Sequence, residues 1–455
     1  MFLSVPMREH FVVQEKLPFP DGIAAAETVL VLDSVAGAKG PARAMGIMTA
    51  LSGLIMVLRA DARLVAEHWY RIPEALLLGP TGQTMGVGLS WSLLSVGSGM
   101  LIGFRVTFWM TVGTLLAWLV APLLLMNAGI LHQLVRQQVL LWIMWPATGM
   151  LIAGGLTALF LRWKLLVKTF ERMSGASVAS GDFPMRWVVI GSIVSAIALI
   201  VVEKVGLGMP VWITVVAIVL SIPLMLTGLR VLGETNWGPI SALSNMMQAV
   251  FGVLAPGHIM ANMAASGVTG SIAAESEGLM QTYKTGHLIG STPRYLTYAN
   301  LIAIPVGAAA VSYVYPLLRA TYGIGGEHGL LSPISQKWAG FARLLSEGIS
   351  ALPPGALLAL VIGTLLGILF TVLESTRYKK WVPSPTGLGI GALVPASAVV
   401  AMFVGAVGGE IWKRYAPRTV ERYLAPVASG FIAGEALVAV LIPILVAIGL
   451  VHLVG

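Results

Sequence analysis

Runs of about twenty predominantly apolar residues recur along this chain, and that is the length a helix needs to cross the hydrocarbon core of a bilayer. Ten are legible: Ala42–Leu58, Met85–Phe104, Thr107–Gly129, Val139–Leu161, Trp187–Val202, Val211–Leu232, Leu296–Arg319, Ala356–Glu374, Ile390–Trp412 and Ala425–Val451. Further membrane-associated pieces lie near Gly22–Ser34 and between Asn236 and Gly290. The chain holds 52 Gly and 25 Pro, many of them inside these runs. Lipid tolerates the resulting helix breaks only where protein or a water-filled cavity satisfies the freed backbone groups. The expectation is an all-α, polytopic integral membrane protein with about 10–12 transmembrane helices, some broken or re-entrant. It would form one membrane-embedded domain over residues 1–455.

Charge supports this. Charged residues make up 11% of the chain and hydrophobic ones 57%, whereas soluble domains carry about 25% charged residues. Too little charge remains to clothe a water-facing exterior, so the exterior faces lipid. The net charge of +8 fits basic cytoplasmic loops. No basic run interleaved with aromatics points to nucleic acid. The 162–186 connection, with Lys164, Lys168 and Arg172, is placed in the cytoplasm by the positive-inside rule. The rule conflicts with itself further on: Arg377, Lys379 and Lys380 stand one apparent span from Lys413, Arg414, Arg418 and Arg422. Ala60–Leu77 and Ile334–Leu352 mix charged and apolar residues at helical spacing and read as interfacial helices. Cysteine is absent, which removes disulfides and thiolate sites. The N-terminus lacks a basic region followed by an apolar one, so no signal peptide is expected.

A charged side chain at the bilayer centre costs about 2.5–3.5 kcal/mol on insertion scales, so intramembrane acids are informative. Glu27 follows Pro20 and Gly22 on a small-residue surface, and Glu435 lies inside SGFIAGEALVAVLIPIL. Each reads as a substrate or proton site facing a cavity, or as an acid capped by amides at a helix start. The pattern Gly-x-x-Ala-small-Glu recurs at Gly22–Glu27, Gly270–Glu275 and Gly430–Glu435, with a looser copy at Gly405–Glu410. Repeats of this kind are common in transporters, whose sites form between repeats near the midplane; chance in a Gly/Ala-rich chain is the alternative.

Two further segments carry polar groups. In LGETNWGPISALSNMMQ, Gly233, Gly238 and Pro239 break a helix and Ser241 is placed to cap the next. Glu234, Thr235, Asn236 and Asn245 would then surround unwound backbone suited to an anionic group, unless this is an ordinary surface turn. In GSIAAESEGLMQTYKTGHLIG, helical spacing puts Glu277, Gln281, Lys284 and His287 on one face. That stripe lines a pathway or is the wet face of an interfacial helix; Lys284 would pair with a substrate carboxylate. Arg105 reads as a helix-end residue, and His10 and His258 as isolated structural histidines. No metal site and no cofactor are expected. The chain has no HExxH, GxxxxGK[ST] or GxSxG motif, so neither an enzyme nor ATP hydrolysis is expected.

The blocks LPFPDGIAAAETV (17–29), LGETNWGPIS (232–241), ESEGLMQTYKTGHLIGSTPRY (275–295), GISALPPGALLALVIG (348–363), PSPTGLGIGALVP (383–395) and ASGFIAGEAL (428–437) together resemble the oligopeptide transporter (OPT) family, in its order and over almost the whole chain. YKTGHLIGSTPR and SGFIAGEAL are the most specific. The resemblance implies proton-coupled import, with small peptides as substrates, or metal chelates in the yellow-stripe-like branch. Two departures stand out. Relatives place several membrane helices ahead of the LPFP-like block, which here begins at Leu17, so a short variant or a piece without those helices is expected. An acid common before the YKTG block is here Thr282, which removes it from any proton-coupling role.

The expectation is thus a secondary active transporter of the cell (plasma or inner) membrane, a proton-coupled symporter of small oligopeptides or peptide-like metal chelates. A passive channel or a non-transporting relative is the alternative. Its partners would be substrate, protons and lipid, with homo-oligomerisation left open. Glu435 or Glu27 would carry the proton, because desolvation favours the neutral form of a carboxyl.

Overall fold

In a computed structural model of the chain, most of the apolar runs become helices where backbone is described, and strand is confined to short pieces. The structure describes residues 1–33, 39–59, 62–63, 72–161, 182–322, 342, 352–376, 381–447 and 452–453. The helices, in order, are α1 (Pro20–Asp33), α2 (Lys39–Arg59), α3 (Gly79–Met85), α4 (Leu93–Ile102), α5 (Phe104–Leu115), α6 (Ala121–Asn127), α7 (Arg136–Leu161) and α8 (Met185–Leu207). They continue with α9 (Val211–Thr235), α10 (Ile240–Leu254), α11 (Ile259–Ile289), α12 (Pro293–Tyr322), α13 (Ala356–Glu374), α14 (Pro385–Leu393), α15 (Ala396–Tyr415) and α16 (Pro417–Ala447). A π-turn at Leu116–Val120 joins α5 to α6.

Among the described residues, eight helical stretches are long and apolar enough to cross a membrane: α2, α5 with α6, α7, α8, α9, α12, α13 and α15. On α8 the side chains of Val194, Val202 and Val205 stand outward, as lipid-facing residues do. The chain is an all-α polytopic membrane protein. Three expectations about elements change. Met85–Phe104 is not one span: left-handed Gly86 ends α3, a strand at Gly88–Ser90 pairs with Ala75–Leu77, and only the ten-residue α4 follows. The described end of Ala60–Leu77 is therefore strand, not interfacial helix. Ile390–Trp412 is split at Val394–Pro395 between α14 and α15. The Ile334–Leu352 helix and most of the 162–186 connection lie outside the described residues.

The chain divides into two compact units built from interleaved segments. The first takes Met1–Glu15, Arg162–Leu229 and Ile240–Leu352, hence α8, most of α9, and α10 to α12. Its N-terminal stretch lies on α8, where the Phe2 ring fills the space a side chain on Gly191 would need, and Arg8 pairs with Asp182 at 2.5 Å. α10 and α11 form an antiparallel hairpin, fixed where Asn262 Nδ2 donates to the Gln248 carbonyl at 2.7 Å. Ser221 on α9 and Thr269 on α11 share a buried hydroxyl hydrogen bond of 2.8 Å.

The second unit holds Lys16–Leu161, Arg230–Pro239 and Pro353–Gly455. Inside it, α4–α5 and α14–α15 form two broken helices that cross as an antiparallel pair. A side chain on Gly99 would overlap the Met402 carbonyl, and one on Gly405 the Val96 carbonyl. Likewise Gly391 abuts the Met110 carbonyl and Gly113 that of Leu388. One sequence offset relates Val96 to Leu388, Gly99 to Gly391, Met110 to Met402 and Gly113 to Gly405. Each contact therefore occurs twice, with the roles of the two broken helices exchanged. The same offset carries Ser92, which caps α4 by accepting from Ser95 N, onto Ser384, which caps α14 by accepting from Gly387 N. It also carries Gly103 onto Pro395, so one break uses a left-handed glycine (φ 90°) and the other a proline. Reciprocal antiparallel contacts of this kind define an inverted repeat. The flanking helices obey it too: α2 packs along α16, and α7 along α13. Met110 and Met402 are fully buried in the core at the crossing, with Leu151, Val231, Ile390 and Val399.

Candidate functional site

Several polar side chains of the second unit meet at the half-helix α4. Ser92 is the cap residue, so the first amides of α4 lack intrahelical acceptors and the helix start carries partial positive charge. Glu435 of α16 fills that place. Its Oε2 accepts from Leu94 N at 2.9 Å and its Oε1 from Ser92 Oγ at 2.9 Å. The same Oε1 meets Arg59 Nη2 of α2 at 2.7 Å. α16 comes close enough because Gly430 and Gly434 lie against the Met45 and Thr49 carbonyls of α2, and Ser52 Oγ donates to the Phe431 carbonyl at 2.6 Å. Glu435 is 7% exposed. The carboxylate is thus held at a helix start by one backbone amide, one hydroxyl and one guanidinium.

Two of the sequence blocks meet further along α4. α9 runs through Gly233 to Thr235, and the break falls at 236–239, not at Gly233. Ser241 lies inside the first turn of α10 and is not its cap. Asn236 stands in the left-handed region at φ 59°. Its Nδ2 donates to Asp21 Oδ1 at 2.7 Å and to Ser98 Oγ of α4 at 3.2 Å, while its Oδ1 accepts from Asp21 N at 3.3 Å. The Phe19 amide donates to the Gly233 carbonyl at 3.1 Å. A side chain on Gly233 would collide with Leu17 and Phe19. The LPFPDG loop is thus pinned to the GETNWG break, with Asp21 exposed beside it. Glu234 pairs with Arg230 one turn back at 2.9 Å. Glu27 on α1 is half-buried.

Asn245, Glu277, Gln281 and Lys284 belong to the first unit. Glu277 is 7% exposed, and among the described residues its Oε1 has no hydrogen-bond partner. The same holds for Asn245 Oδ1 on α10. Lys284 is buried, Gln281 half-buried and His287 exposed, so the stripe read from the sequence is graded and not uniformly wet. The four Gly-x-x-Ala-small-Glu copies have no common setting: Glu275 and Glu410 are exposed, Glu27 is half-buried and Glu435 is buried.

Sequence reasoning passed over Arg59, Ser92, Ser98 and Asp21. The spacing shared by SLLSVGSGMLIG (92–103) and SPTGLGIGALVP (384–395) would have pointed to the half-helices and their caps. Arg59 at the end of an apolar helix gave no sign of its partner. A cleft of about 340 Å³ lined by His132, Gln138, Trp142 and Pro353 contains none of the candidate residues. Among the described residues, no three His, Asp or Glu side chains group as a metal site would require.

The family model described as "OPT oligopeptide transporter protein" matches residues 1–446. The chain is 23% identical to "Putative oligopeptide transporter YGL114W" of Saccharomyces cerevisiae, over 99% of this chain and 79% of that protein. It is 29% identical to "Probable metal-nicotianamine transporter YSL6" of Oryza sativa subsp. japonica, over 45% of this chain and 31% of the relative. With "Metal-nicotianamine transporter YSL2" of Arabidopsis thaliana it shares 28% identity, over 39% and 28%. The matched stretch therefore spans about a third of each of these two plant relatives.

Proposed function

The chain belongs to the OPT family of oligopeptide transporters, and from that premise we propose that it is a secondary active transporter of the cell membrane, coupling protons to the uptake of small oligopeptides or peptide-like metal chelates. The observation that carries the reading is the inverted pair of broken helices in the second unit, with an acid-bearing helix at one half-helix start. Transporters of this build place substrate where discontinuous helices expose amides and carbonyls near the midplane. The α9–α10 break at 236–239 offers the same chemistry, with Asn236 and the exposed Asp21 carboxylate beside it. Asp21 suits the amino group that peptides and nicotianamine-type chelators share. Asn245, Gln281 and Lys284 are proposed to line the pathway in the first unit, with the Lys284 ammonium taking a substrate carboxylate. Glu234 and Glu435, both paired, have positioning roles in this reading, and Glu27 remains a candidate for contact with substrate.

Ligand-induced thermal stabilisation of the purified protein distinguishes the two substrate classes. A ligand at 100 times its Kd raises stability by about 2.7 kcal/mol. Iron–nicotianamine and a set of di- to tetrapeptides should separate, one class shifting Tm by several degrees and the other leaving it alone. A Tm unmoved by both classes at millimolar concentration would count against this reading of the substrate.

A further inference from the structure

Glu277 is buried as deeply as Glu435 but is surrounded differently. It projects from α11 toward α9 and α10. Its Oε1 lies 3.5 Å from where a Cβ on Gly228 would stand, beside the Leu243 side chain. Residues 211–229 of α9 and all of α10 carry no ionisable side chain, and the two charged residues further along α9, Arg230 and Glu234, pair with each other at 2.9 Å. The N-terminal stretch on α11 brings the Met1 amino group, which interacts with Glu275, and Arg8, Glu9 and His10. Arg8 is committed to Asp182 at 2.5 Å and Glu9 at 3.7 Å, and His10 Nε2 lies 3.1 Å from Glu15 Oε1. On α11 itself Glu275 and His287 are exposed, and the Tyr283 hydroxyl is hydrogen-bonded to Thr297 of α12 at 2.6 Å. Lys284 stands seven residues along the helix, about 10 Å by the helical rise. On α12, Arg294 stacks over Tyr295 and Tyr298 packs on Phe183.

An ionised carboxylate stripped of water with no counter-ion costs several kcal/mol, whereas a neutral acid in the same place costs only an unmade hydrogen bond. Glu435 has a guanidinium, a hydroxyl and an amide as partners, whereas among the described residues Glu277 Oε1 has none.

We propose that Glu277 is the proton-binding carboxyl of the transport cycle. It takes a proton from water on the acidic side, carries it enclosed against Gly228, and releases it to water when the site opens on the other side. Glu435, held by Arg59, Ser92 and the Leu94 amide, serves as a structural clamp. This rests on the symport reading above.

The test uses the full chain in proteoliposomes. Wild type, Glu277→Gln and, as a control two residues away on the exposed face, Glu275→Gln are compared for gradient-driven accumulation and for gradient-free exchange of labelled iron–nicotianamine and of a labelled tetrapeptide. Glu277→Gln is expected to lose accumulation at least tenfold while keeping exchange, with exchange now independent of pH; Glu275→Gln should behave as wild type. Accumulation by Glu277→Gln equal to wild type, with the same pH profile, overturns the assignment of Glu277 while leaving symport intact. Failure of the wild type itself to accumulate substrate removes the symport reading and the role of Glu277 with it. Should Glu277→Gln not fold, wild-type protein is treated with dicyclohexylcarbodiimide, which modifies protonated buried carboxyls, and mapped by peptide mass. Labelling at Glu277 that grows as pH falls supports the proposal; labelling that does not change with pH, or none at any pH, overturns it.

Discussion

Arg59 Nη2 lies 2.7 Å from Glu435 Oε1, and the two side chains keep only 12% and 9% of their exposure. An ion pair that deep gains little over an apolar replacement, but removing one partner strands the other charge, at about 3–5 kcal/mol. Arg59→Ala and Glu435→Ala should each lower stability by about that much. The double variant should cost clearly less than their sum, because the stranded charge is gone. Denaturant unfolding in detergent measures all three; single variants as stable as wild type would show that the clamp contributes nothing.

Helix caps give a finer test, because Ser92 and Ser384 occupy equivalent places in the inverted repeat. Ser384→Ala loses a cap alone and should cost about 1 kcal/mol. Ser92→Ala also loses its hydrogen bond to the Glu435 carboxylate, and bonds to charged groups contribute about 1.5–3 kcal/mol. The Ser92 variant is therefore the less stable, and equal losses would contradict the assigned partner.

Glycine spacing on α15 separates packing from helix propensity. Gly405→Ala pushes a methyl into the Val96 carbonyl, whereas a methyl on Gly408 meets nothing within 4 Å. Gly408→Ala should be neutral or stabilise by up to about 1 kcal/mol. Gly405→Ala should destabilise by about 1–3 kcal/mol through overpacking. Thermal melting of the pair reads the difference, and matching melting points would argue against the crossing.

Asn236 combines an unusual backbone with two side-chain partners. Alanine in the left-handed region costs about 1–2 kcal/mol and also loses Asp21 and Ser98, whereas glycine loses only the partners. Stability should fall from wild type through Asn236→Gly to Asn236→Ala. Substrate affinity should fall in both variants, since both release the LPFPDG loop. An alanine variant that melts with wild type would remove the strain argument.

Much of this was legible in the residues. Apolar length gave α2, α7, α8, α9, α12 and α13 within a few residues, because a lipid-facing helix has no other composition available. Gly233, Gly238 and Pro239 announced the α9–α10 break, although the helix persists to Thr235 because Gly233 there serves close approach by Leu17 and Phe19 and does not unwind. Hydropathy could not see that Met85–Phe104 contains a strand and a half-helix, since apolar residues in a short strand and in a span look alike. Glu435 stands out in the sequence as an acid inside an apolar run, but its partners Arg59, Ser92 and Leu94 come from α2 and α4, far away in sequence, so only the fold brings them to it. The recurrent Gly-x-x-Ala-small-Glu pattern pointed to repetition in the chain, whereas the repeat in the fold is written in Ser92, Gly99, Met110 and Gly113 and their counterparts.

The most direct test of the account is uptake of labelled substrate into proteoliposomes holding the full chain, with and without an inward proton gradient. Iron–nicotianamine and a labelled tetrapeptide serve as probes. The account predicts that one of them accumulates above its external concentration only when the gradient is present, and that a protonophore abolishes the excess. Equilibration without accumulation, unaffected by the gradient, would contradict it and make the protein a passive facilitator.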